Sequence, residues 1–136
     1  MNEYARGKLS DLALTLLRIV AGFLFWCHGA QKMLGWFTQP DAARALPAFP
    51  ELAWFAGVLE LVGGALIALG ILTRPVAFLL SGEMAVAYFK AHAPQGSLPI
   101  LNRGELAALY SFLFLFFAAH GGGPYSVGRL LRRKAR

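Results

Sequence analysis

Within residues 12–34 an arginine, a histidine and a lysine interrupt a run of mostly apolar residues. At about 100° per helical residue, Gly22, Phe25, His28, Gly29 and Lys32 all fall within about 80° of Arg18, so a helix here carries its charges on one face. Later apolar runs answer with Glu60, Glu83 and Glu105, and Asn102 stands close to the last of these. Charges in hydrocarbon cost several kcal/mol unless partnered, so a glutamate within a span is either paired or takes up a proton. Histidine and carboxylates held this way can carry protons. A lysine beside them can hold an oxyanion.

Positioning these groups calls for helices that cross a membrane. About 20 apolar residues span a bilayer, and the runs at 12–34, 52–72, 76–92 and 105–120 predict an all-α transmembrane four-helix bundle, one domain over 1–136, with a basic tail at 125–136. The 136 residues are 57% hydrophobic and only 15% charged, more apolar than a soluble domain of this size can bury. Residues 1–10 read as a polar flank, and Gly35-Trp36-Phe37 ends the first run with aromatics suited to an interface. Residues 38–50 hold three prolines and form a loop with room for a short surface helix. Gly63 and Gly64 follow Glu60 by three and four positions, share its face, and let another backbone approach the carboxylate. Thr73-Arg74-Pro75 is a turn too short to reach anything but an adjacent antiparallel helix. Pro94, Gly96 and Pro99 make 93–104 a loop, and Gly121-Gly122-Gly123-Pro124 closes the fourth run, the most aromatic one.

Several function classes fall away. The net charge of +6 sits mostly at the two ends, with no module for reading bases beside it, so the tail is expected to meet solvent or lipid rather than nucleic acid. A single cysteine, Cys27, excludes an intramolecular disulfide and reads as a small buried apolar group. Arg18 and the lack of a small-x-small site argue against a signal peptide. His28, His92 and His120 fall at different depths, which disfavours haem. No metal-ligand spacing occurs, so no metal is expected.

With both termini cytoplasmic, the inner side holds eight basic residues (Arg6, Lys8, Arg74 and five in the tail) against four outside (Lys32, Arg44, Lys90, Arg103). The positive-inside rule favours that orientation. At about 1.5 Å per residue, His28 and Glu60 then lie roughly 10 Å from the outer end, with Lys32, His92, Asn102 and Glu105 near the outer surface. These define an outer polar pocket in which His28 or Lys32 pairs with Glu60 or Glu105. Arg18 and Glu83 each lie roughly 12 Å from the inner end and form a second candidate ion pair. Such pairs either only fix which helices are neighbours or mark function.

The ordered set Leu17-Arg18 with Gly22, His28-Gly29 with Lys32, Gly35-Trp36-Phe37, Glu60 with Gly63-Gly64 and Gly70, Thr73-Arg74, Glu83, and Asn102-Arg103-Gly104-Glu105-Leu106 resembles the DoxX family of small four-span bacterial membrane proteins. Two positions depart from it. Arg103-Gly104 stands where the family usually has two glycines, and Gly128 where it usually has an aspartate after the terminal Tyr-Ser turn, so a role for that aspartate does not transfer. The resemblance implies a multi-pass protein of the bacterial inner membrane, associated in some relatives with oxidoreductase assemblies, including quinone-linked thiosulfate oxidation and complexes with antioxidant and sulfur-transfer enzymes. A lesser likeness is to small four-span eukaryotic proteins that assist membrane-protein assembly.

Two functions are therefore expected. One is an accessory subunit of a redox assembly, with a pocket for a quinone headgroup or a small sulfur or phenolic substrate. No cofactor motif is encoded, so quinone is the only cofactor expected, and electrons would come from a partner protein. The other is a non-catalytic scaffold or assembly factor working through lipid, a partner protein or a second copy of the chain. Whether the chain is itself an enzyme is left open. The orientation has a direct test: a reporter active only in the periplasm should be silent when fused after Gly128 and active when fused within 93–104.

Overall fold

A computed structural model describes residues 3–39 and 45–135. The described residues are helical without strands and fall into two compact units, one built from the residues up to Thr73 together with those from Gly122 onward, the other from Arg74–Gly121. The surface helix expected in 38–50, and Arg44 with it, falls on positions 40–44, outside the described residues.

In the first unit, α1 runs over Glu3–Leu34 and α2 over Leu52–Leu69. Helix α1 starts nine residues before the expected position, because the polar flank is itself helical. Glu3 lies in its first turn, where the macrodipole favours an anion. One turn later Lys8 Nζ sits 4.4 Å above the ring of Tyr4. Helix α1 ends at Gly35, whose φ of 68° is left-handed.

The two helices are antiparallel and packed backbone to backbone. A Cβ added to Gly22 would lie 2.7 Å from Gly64 O, and one added to Gly64 would lie 2.8 Å from Gly22 O. At Gly29 it would strike the main chain of Glu60 and Leu61. Small residues permit such approach, and they divide the surface of α1 as its periodicity predicts. Arg18, Gly22, Phe25 and Gly29 are buried, while Leu16, Leu17, Ile19, Val20, Phe23 and Leu24 are exposed by 42–54%. That exposed apolar band suits lipid. By length and composition α1 and α2 can each cross a bilayer, and Glu105–His120 is a shorter apolar helix.

Helix α2 ends three residues short of the expected Leu72, at Gly70, whose φ of 72° lets its N–H and that of Ile71 bond back to Ile67 O and Leu66 O. Arg18 reaches this end. Its Nη1 donates to Ile67 O at 2.8 Å and Ala68 O at 2.7 Å, and its Nη2 to Tyr125 O at 2.9 Å. The carbonyl end of a helix is partly negative, so it partners a guanidinium that is 1% exposed. The tail, expected as a basic extension, forms α6 over Val127–Lys134.

The expected turn Thr73–Pro75 is instead the first turn of α3, Thr73–Ala87, where proline is tolerated, and from Arg74 onward this helix belongs to the second unit. Helix α3 runs on without a break into a π-helical turn, Tyr88–His92, and a 3₁₀ turn, Ala93–Gln95. The expected loop 93–104 also contains a short helix, α4, Pro99–Asn102, before α5, Glu105–His120. Helices α3 and α5 are joined by reciprocal bonds, Ser81 Oγ to Ser111 O at 2.8 Å and Ser111 Oγ to Ser81 O at 3.2 Å.

The glycine contacts make a sharp expectation. Gly29→Ala should lower the melting temperature in detergent, because overpacking against backbone costs about 1–3 kcal/mol or more. Gly82→Ala, whose Cβ meets nothing within 4 Å, should leave it equal or raise it slightly.

Candidate functional site

The last turns of α1 and the middle of α2 build the site. Gly29 lets α1 lie directly on the main chain of Glu60. One turn before Glu60, a Cβ on Gly57 would lie 2.6 Å from Met33 Sδ and 3.2 Å from Lys32 Cβ. The start of the Lys32 side chain therefore packs close to Gly57, and its ammonium donates to Glu60 Oε1 at 2.6 Å. This is a short charge-assisted bond.

Its two ends differ. The side chain of Glu60 is 3% exposed, whereas that of Lys32 is 40% exposed. Glu60 Oε2 is buried and accepts no hydrogen bond among the described residues. An ionised carboxylate has room for about four acceptor contacts, and an unmet one in an apolar setting is costly. The geometry is thus a half-satisfied carboxylate behind a cation that can still meet solvent or a ligand.

Of the other expected pocket residues, His28 is exposed on α1. Asn102 is buried in the second unit and bonded on both sides of its amide. Its Nδ2 donates to Gly96 O at 2.8 Å and Tyr88 Oη at 3.4 Å, and its Oδ1 accepts the Gly104 N–H at 2.8 Å. His92 Nδ1 lies 3.0 Å from Asn102 O. Asn102 therefore holds the π turn to the segment before α5. Gly104 fits there because a Cβ would lie 2.7 Å from the ring of Tyr88. Glu105 is exposed in the first turn of α5, on the side of the helix dipole that favours it. Glu83 is half-buried on α3. Among the described residues no group of three or more His, Cys, Asp or Glu is placed to hold a metal.

Thus Lys32 and Glu60 meet, while Asn102 serves its own loop. Gly57 and Tyr88 went unmarked in the sequence reading. Gly57 could have been found, since it precedes Glu60 by three positions and so shares its face. Tyr88 could not, because its role depends on the π turn.

A family model described as DoxX matches residues 13–93. A Haemophilus influenzae protein described as uncharacterized is 47% identical over 130 residues, covering 93% of this chain and 96% of the relative. The Escherichia coli inner membrane protein YqjF is 31% identical, covering 93% and 98%. The Bacillus subtilis putative oxidoreductase CatD is 32% identical over 92 residues, covering 65% and 67%. No solved structure matches the chain. With its glycine-packed α1–α2 pair and a family match over more than half its length, the chain is a membrane protein of the DoxX family.

Proposed function

We propose that the chain is an inner-membrane accessory subunit of a redox assembly, with four spans and both termini cytoplasmic, in which Lys32 and Glu60 bind and protonate an oxygen-bearing ring such as a quinone headgroup. The observation that carries this reading is the buried Glu60 Oε2, left without a hydrogen-bond partner beside the Lys32 bond. A ring hydroxyl or a protonated carboxyl would meet that oxygen's need, and the half-exposed ammonium of Lys32 suits a ring oxygen carrying negative charge. Reducing a quinone takes two electrons and two protons. The electrons come from a partner protein, and Glu60 hands on protons taken up from outside, with exposed His28 as their relay. The relative described as a putative oxidoreductase favours the same reading.

A scaffold role is the second reading, favoured by Gly29, which sets the ion pair directly on the α1–α2 contact. There the pair would only lock two helices together, as buried polar groups can.

Glu60→Gln separates the two, because it removes the proton carrier while keeping nearly the same shape. Proton delivery predicts that quinone-linked activity in cells falls strongly while the yield of detergent-stable protein stays within about twofold. A lock predicts that yield and activity fall together, and no change in either would discard both roles. Lys32→Met should lower yield in either case, since it leaves the buried carboxylate unpaired. Removing one partner of a buried pair costs about 3–5 kcal/mol, and the 40% exposure of Lys32 places its loss toward the lower figure.

A further inference from the structure

Residues after Gly122 return to the first unit and build a second polar feature there, about 20 Å along α1 from Lys32. The Gly128 N–H donates to Gly70 O at 3.3 Å, and a Cβ on Gly128 would lie 2.6 Å from that oxygen, so α6 starts directly on the end of α2. Helix α6 has eight residues, too few to span a membrane. It is strongly two-sided. Val127, Leu130 and Leu131 are exposed apolar residues, and Arg129, Arg132, Arg133 and Lys134 supply the charge. No acidic residue follows Glu105 in the sequence. A basic two-sided helix of this kind lies in the plane of the interface.

Between α6 and the adjoining parts of α1 and α2 lies an open cleft of about 650 Å³. Ile19, Leu69 and Leu130 give it apolar walls, exposed by 42%, 50% and 60%. Arg129 and Arg133, one turn apart on the same face, line it as well. So does buried Arg18, whose Nε has no hydrogen-bond partner among the described residues.

We propose that this cleft binds one anionic phospholipid, its phosphate against Arg129 and Arg133 and its acyl chains along Ile19, Leu69 and Leu130. Charge complementarity selects the occupant. Two arginines with no carboxylate on the same helix favour a phosphate, and a free phosphate would leave the apolar walls unused. A zwitterionic headgroup would place its own cation among the arginines.

The test uses the full chain in detergent, titrated with phosphatidylglycerol, phosphatidylcholine or inorganic phosphate and read by native mass spectrometry. Phosphatidylglycerol should be retained in preference to the other two. Arg129→Gln with Arg133→Gln should weaken its binding about 10- to 30-fold, as expected for two basic residues near an anionic surface. Arg132→Gln with Lys134→Gln removes the same charge outside the cleft and should weaken it less than about threefold. Equal losses from both pairs, equal retention of phosphatidylcholine, or displacement by inorganic phosphate at a similar concentration would each overturn the proposal. All four side chains are exposed, so both double variants should elute as folded protein. If the first does not, the lipid preference of the unaltered chain decides alone.

Discussion

Everything in the first unit depends on how closely α1 and α2 approach. Gly22 and Gly29 on one helix face Gly64 and the Glu60–Leu61 main chain on the other, with no side chain between the backbones. Hydrocarbon offers no hydrophobic drive for helices to associate, so close van der Waals packing must supply it. That packing also sets the reach of the polar groups. Lys32 meets Glu60 where Gly57 leaves room for the start of its side chain, and Arg18 meets the carbonyls of Ile67 and Ala68 at the other end of the seam.

The two polar ends are solved differently. Arg18 is met by three carbonyl oxygens that belong to the backbone and cannot change charge. Its surroundings are those of a structural clamp. Lys32 and Glu60 form a pair that joins one buried side chain to one partly open, and one carboxylate oxygen is left over. A fully satisfied network stabilises its neighbours, whereas a partly satisfied one is where a ligand or proton has something to gain.

Much of the first unit was legible in the sequence. The stripe of Arg18, Gly22, Phe25, His28, Gly29 and Lys32 implies an inward face, and of these Arg18, Gly22, Phe25 and Gly29 are buried, whereas His28 is exposed and Lys32 partly so. The Lys32–Glu60 pair is one of the pairings that the sequence leaves open. The carbonyl partners of Arg18 were not legible, since matching charge to charge overlooks a helix end, and that end exists only because Gly70 turns left-handed. Helix boundaries shifted for local reasons: Glu3 starts α1 early, and Pro75 fits within the first turn of α3. A buried amide and a binding amide look alike in one dimension, so the loop partners of Asn102 are not legible in the sequence. Only the folded loop shows that Gly96, Gly104 and Tyr88 occupy it.

The Arg18 clamp also imposes an order on biogenesis. Its first two bonds close within the α1–α2 hairpin, but the third reaches Tyr125, 107 positions further along the chain. While a ribosome is still making the second unit, the hairpin can already be packed through its glycines. Its guanidinium then has two of its three carbonyl partners. Completion waits for residues after Gly122, so the third bond forms only once the second unit has been made.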